Sequence, residues 1–200
     1  MNDLDSSADR FAVGELYPED LPMAAAEALA QGHDTPALVE LACLHRSETG
    51  EAPALFRTAL AELGLVADTE AAWSARDVDV RMRRAEKAAN ALLAGEGILV
   101  EHVNRIASDL DYLSVTPEVG SPELADLAAD FDGFRWHLDD DTIDQDLLLD
   151  DIHARCRTLS AGQPWVRPVA ATPTPTKPTW WRVWFRGRRR SLRHDARMGR

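Results

Sequence analysis

Between residue 21 and about residue 160, aliphatic side chains recur at steps of three and four, the spacing that lines them along one side of a helix. LPMAAAEALAQG, residues 21–32, carries Pro22 in its first turn, where a missing amide costs nothing, and Gly32 where the helix can stop. In HDTPALVELACLH, the Thr35 hydroxyl can accept from the free amides of a new turn, Pro36 follows, and Leu38, Leu41, Ala42 and Leu44 form a stripe. After the polar break SETGEA, Leu55, Phe56, Ala59, Leu60 and Leu63 predict a third helix, with Gly64 just past its end.

The longest helix is predicted over residues 69–94, opened by Asp68 and Thr69 and closed by Gly95. Ala71, Ala75, Val78, Met82, Ala85, Ala89 and Leu92 would form one continuous seam along it. Trp73 and Val80 fall on a different side, which calls for a second neighbour or an exposed contact. Residues 98–113 repeat the pattern with Leu99, Val103, Ile106, Leu110 and Leu113, and residues 122–138 with Leu124, Leu127, Phe131, Phe134 and Leu138. A last helix holds Ile143, Leu147, Leu148, Ile152, Cys156 and Leu159 and ends at Gly162. No segment alternates at period two for long enough to be a strand. The expected fold is therefore all-α, a compact bundle of about seven helices over residues 21–162, preceded by a disordered acidic stretch at residues 1–20.

Beyond Gly162 the pattern stops. Residues 163–179 hold five prolines and read as an extended, polyproline-like linker. Residues 180–200 follow as a basic, tryptophan-rich tail.

The opening of the helical region resembles that of a group of uncharacterised helical proteins from high-GC bacteria. The residues that carry the likeness are Leu21, Pro22, Glu27, Ala28, Leu29, Gly32, Asp34, Thr35, Pro36, Ala37, Leu38, Leu41 and Ala42, and a weaker likeness runs through FRTALAELGL and AEKAANALLAGEG to about residue 160. It implies the helical fold and no activity, and the tail lies outside it.

Composition sharpens this picture through charge. The chain carries −12 overall, but residues 171–200 hold nine Lys and Arg and the single acid Asp195, while residues 1–170 hold 13 basic and 33 acidic side chains. A body at −20 repels phosphate backbones, so nucleic acid is a poor partner for it and a cationic protein a fair one. The polar, acidic start lacks the features of a signal peptide, and no apolar run nears the ~20 residues that span a bilayer; a cytoplasmic protein is expected.

Candidate chemistry is sparse. Cys43 and His45, with His153 and Cys156, offer four zinc-type ligands, but at spacings outside the common ones, and both cysteines lie on or beside apolar stripes, where a thiol acts as a small hydrophobe. A calcium loop starting at Asp140 would place Asp144 and Asp151 correctly, yet Gln145 stands where the sharp turn needs glycine, and the same acids suit the start of a helix. No nucleophile elbow, phosphate loop or metalloprotease motif is present, so no catalytic residue, cofactor or metal is assigned. An enzyme with a dispersed active site stays as the alternative, its mark being His102, His137 and Asp141 converging in one buried pocket.

The tail is the most distinctive segment. On a helical wheel Trp180, Trp181, Trp184 and Phe185 gather on one side, and Arg182, Arg186, Arg189 and Arg190 on the other, with Arg188 adding to the charge. Such a segment suits an anionic membrane surface, docking back on the acidic body, or single-stranded nucleic acid, and it would arise equally from unselected extension of a high-GC coding sequence. Taken together, the sequence reads as a non-enzymatic interaction or regulatory protein whose acidic body binds a protein partner and whose tail adds a second binding element, peripheral to the membrane.

Overall fold

Among the described residues, side-chain caps start four of the helices. Thr35 accepts a hydrogen bond from the Leu38 amide (3.3 Å), Thr69 from Ala72 (3.2 Å) and Ser121 from Leu124 (3.2 Å). Asp144 accepts from Asp146 (3.1 Å) and Leu147 (3.3 Å). Each cap satisfies an amide that the helix leaves free, an effect of about 1 kcal/mol. Gly95 ends the longest helix with φ +70°, a left-handed geometry that lets the Glu96 amide reach the Ala91 carbonyl at 2.9 Å.

The computed structural model describes residues 4–45, 49–117, 119–138, 140 and 142–161, all within one unit of the chain. Among the described residues it is all-helical, with eight helices and no strand: α1 (Leu4–Ala12), α2 (Leu21–Ala30), α3 (Pro36–Ala42), α4 (Ala52–Glu62), α5 (Glu70–Leu93), α6 (Leu99–Ser114), α7 (Pro122–His137) and α8 (Gln145–Ser160). The Pro-rich linker and the basic tail lie outside the described residues. None of the described helices is long and apolar enough to cross a membrane.

The apolar stripes meet in two cores. Around Leu21, Leu38, Leu41, Phe56 and Leu60, helices α1–α4 bury the first, which also takes in Val66 and Trp73. The second is a four-helix bundle: α5 packs on α6, α6 on α7, α7 on α8, and α8 returns to α5. Its interior holds Ile106, Leu110, Leu113, Leu124, Phe131, Ile152 and Leu159. Connections of a few residues turn each helix back along its predecessor, so the α5–α6 and α7–α8 connections lie at the same end of the bundle.

Helix α5, at 24 residues about 36 Å long, belongs to both cores. Its second half follows the predicted seam, with Ala85, Ala89 and Leu92 buried. Its first half does not: Ala71 and Ala75 are exposed, and the buried side carries Trp73, Asp77 and Val80.

The cause is α1, which corrects the expectation of a disordered start over residues 1–20 and adds the eighth helix. LDSSADRFA is too polar to stand out, yet Leu4, Ala8 and Phe11 follow steps of four and three; the first two are buried, and Phe11 packs edge-on against Phe56 (5.1 Å between centroids) and Trp73 (5.3 Å). Two smaller corrections concern predicted stripe positions: Leu147 is 64% exposed, and Cys43 at the end of α3 faces solvent.

Candidate functional site

Arginine is concentrated on α5, and it decides where the acids of the body are neutralised. Arg76 pairs with Asp5 and with Asp9, both at 2.6 Å, and also donates to the Asp5 carbonyl at 2.9 Å. Arg83 reaches Asp9 at 3.1 Å and Asp79, one turn earlier on its own helix, at 3.0 Å. Beyond the end of α1, Glu15 takes Arg84 (2.7 Å) and Arg105 of α6 (3.3 Å).

Deepest in this seam sits Asp109 of α6, 2% exposed. Arg84 Nε lies 3.3 Å from one of its oxygens and Arg81 Nη1 3.4 Å from the other. Arg81 also binds Asp77 at 2.7 Å, donates to the Val13 carbonyl at 3.4 Å and lies 3.8 Å over the Tyr112 ring. Burial pushes the Asp109 carboxyl above the ordinary aspartate range, against the pull of Arg84, Arg81 and Arg105, and Glu15 adds to the push. Each of these guanidiniums already faces a carboxylate, so the layer's chemistry is that of an adhesive holding α1 and its following loop to α5 and α6.

The outer face of α7 and α8 is built differently. Residues 118–161 hold twelve acids and three arginines. Arg155 pairs with Asp130 across the shallow groove between the two helices (2.8 Å), and Arg135 pairs with Asp132 on its own helix. Asp140 is engaged locally, accepting from the Thr142 hydroxyl (2.6 Å) and amide (2.9 Å), and these hydrogen bonds, the hydroxyl's first, hold its carboxyl below the usual range. Glu123, Asp126, Asp146, Asp150 and Asp151 are exposed and have no ion pair among the described residues. Flanking the α7–α8 connection, Trp136 is 72% and Leu147 64% exposed.

The residues singled out in the sequence are placed apart. Cys43 and His45 follow α3 beside the first core; Cys156 is buried on α8 in the second core, with His153 one turn before it. No group of three or more metal-type ligands forms among the described residues. Burial pushes the Cys156 thiol up to about 11, which keeps it protonated and inert as a nucleophile. Of the calcium-loop acids, Asp144 is spent capping α8, and Gln145 donates to the Asp140 carbonyl at 3.2 Å.

His102 Nε2 lies 3.1 Å from the Glu96 carbonyl, an acceptor only, and a β-carbon at Gly97 would collide with its ring. His137 is exposed at the end of α7, so the two histidines share no buried pocket, and Asp141 lies outside the described residues. So do Trp180, Trp181, Arg182, Trp184, Phe185, Arg186, Arg188, Arg189 and Arg190. Sequence reasoning missed the arginine seam, although Arg76, Arg83 and Arg84 at steps of seven and one on a long helix were its available signal.

No family model, curated protein or solved structure matches the chain.

Proposed function

We propose that the protein is a non-enzymatic interaction protein whose acidic α7–α8 face binds a cationic protein partner. The observation that carries this reading is a set of exposed carboxylates with no ion pair among the described residues: Asp146, Asp150 and Asp151 on α8, which also carries the exposed Leu147, and Glu123 and Asp126 at the start of α7, whose last turn carries the exposed Trp136. Unpaired like charges on neighbouring helices repel one another, and a cationic surface relieves that repulsion while speeding encounter. Exposed tryptophan supplies the apolar anchor that charge alone lacks. The test compares proteins retained from lysate by the native chain and by a chain carrying Asp126→Asn, Asp146→Asn, Asp150→Asn and Asp151→Asn. A basic protein held by the native chain at low salt, lost at high salt and lost from the variant is expected. The same retained set for both chains would sink the reading.

The tail is proposed as an independent second element for an anionic membrane surface, on the strength of its aromatic and arginine faces alone. Vesicle flotation of the full chain against a chain ending at Ala170 tests it. Loss of flotation on truncation is expected, and equal behaviour removes the proposal.

A further inference from the structure

The face of α5 beneath α1 has the features of a helix receptor that already holds an occupant. Its apolar part is the edge of the first core: Leu4 and Ala8 are buried, and Phe11 sits against Phe56 and Trp73. Its polar part is the arginine row, with Arg76 gripping Asp5 and Asp9, Arg83 gripping Asp9, and Arg84 gripping Glu15. Apolar sockets at steps of four and three beside a line of guanidiniums read one pattern. That pattern is an amphipathic helix with apolar residues at i, i+4 and i+7 and carboxylates at i+1 and i+5, which α1 supplies as Leu4, Ala8, Phe11, Asp5 and Asp9.

Three observations make the occupant exchangeable. A helix of nine residues is too short to persist by itself, so α1 is a helix because the seat makes it one, and its hold can be undone locally. The outer part of its polar grip is half in solvent, the side chains of Asp5 and Arg83 being each 55% exposed and that of Glu15 46% while Arg76 and Asp9 keep 16% and 21%, so salt weakens that outer part. The seat is also incompletely satisfied, because Trp73 Nε1 is buried without a hydrogen-bond acceptor among the described residues.

We propose that this face of α5 is a docking site for an acidic amphipathic helix of a protein partner, which α1 occupies in cis and from which the partner displaces it. The site is separate from the α7–α8 face, and either proposal stands without the other. A strongly acidic body can hold an acidic ligand here because residues 70–117 carry six basic side chains against eight acids, and five of the six face this seam.

Two measurements on the full chain test it. In hydrogen exchange of the native chain, α1 amides are expected to exchange faster than those of α6, and to quicken further as salt rises while α6 does not. Equal protection of α1 and α6 at every salt concentration overturns the proposal. The second measurement titrates a labelled synthetic peptide of residues 1–16 into the native chain and into the full chain carrying Asp5→Lys and Asp9→Lys, which turn the grip on Arg76 and Arg83 into repulsion. Opening the seat is expected to tighten peptide binding by about tenfold or more, because apparent affinity scales with the open fraction. Equal affinity for the two chains overturns it. So does equal binding of a peptide carrying Leu4→Ser and Phe11→Ser, which would show a site that reads charge only, as a nucleic-acid surface does. A dimer of the native chain that exchanges α1 between copies would assign the seat to a second copy and overturn it as well. Should the Asp5→Lys, Asp9→Lys chain lose α6 protection, the salt response of the native chain decides alone.

Discussion

Two regions of this molecule are rich in carboxylates and treat them in opposite ways. In the seam of α1, α5 and α6, Asp5, Asp9, Glu15, Asp77 and Asp109 each meet an arginine, and all of these ion pairs but the Asp77–Arg81 pair within α5 join elements far apart in sequence. On α7 and α8, Glu123, Asp126, Asp146, Asp150 and Asp151 meet none among the described residues. The same residue type thus serves architecture in one place and is left to solvent in the other. What separates them is α5, whose Arg76, Arg81, Arg83 and Arg84 all turn toward one side. Net charge is therefore a poor guide to where a charged partner would land; the unpaired remainder is a better one.

If the comparison is right, the largest effect belongs to the most buried acid. Asp109→Ala leaves Arg81 and Arg84 short of a carboxylate. Equilibrium denaturation should show a loss of about 2 kcal/mol, below the ~3–5 kcal/mol of a fully buried pair because Asp77 and Glu15 still face these arginines. A loss under about 0.5 kcal/mol would mean that the seam is as indifferent to its charges as an open surface. Next comes the apolar half of the same seam. Phe11→Ala removes a half-buried ring from Phe56 and Trp73 and should cost about 1–2 kcal/mol, less than the ~3–5 kcal/mol of a fully buried phenylalanine. An unchanged midpoint would place α1 outside the cooperative unit.

The two regions also differ in how much of them the sequence disclosed. Helices α2 to α8 announce themselves through their stripes, and where a cap and a terminal glycine agree the ends follow as well: Thr69 and Gly95 bracket α5 to within one residue. The second core follows from the stripes alone, as Ile106, Leu110, Phe131 and Ile152 show. Helix α1 stays hidden because its stability is borrowed. Only Leu4, Ala8, Phe11 and Ala12 pack on the core, and the arginines that hold the helix lie some 70 positions away, where no local window sees them. The first half of α5 misleads for the same reason: Ala71 and Ala75 satisfy a helical seam, but the neighbour that decides which side is buried is α1. The acidic α7–α8 face is legible in composition, whereas which of its acids lack partners depends on Arg135 and Arg155 reaching Asp132 and Asp130.

A subtler effect on the seam comes from pH. The Asp109 carboxyl titrates above its unfolded value, so the folded chain binds a proton there that the unfolded chain has released. The contribution of the protonated form is fully present below the ordinary aspartate value of about 3.9 and is lost as pH rises through the folded-state value. Asp109→Asn cannot ionise. Its stability relative to the native chain should therefore improve as pH climbs from that ordinary value toward neutrality. Denaturation of both chains across that range checks it, and a flat difference would show that Arg84 and Arg81 outweigh burial at this site.

The smallest effect tests the other region. Asp146 and Asp150 stand one turn apart on α8, a like-charged pair with no cation beside either among the described residues. Asp150 lies beyond the first turn, where the positive end of the helix dipole no longer rewards an acid. Asp150→Lys removes that repulsion and places a cation four residues after Asp146, the favourable order for a helical ion pair, so stability should rise by about 0.5 kcal/mol. For a domain of this size that is a shift of roughly 1–2 °C in Tm. The same change should weaken any cationic partner of the α7–α8 face, coupling a gain in stability to a loss of binding. A loss of stability instead would mean that Asp150 is compensated in the native chain, and the contrast between a neutralised seam and an uncompensated face would fail at its clearest point.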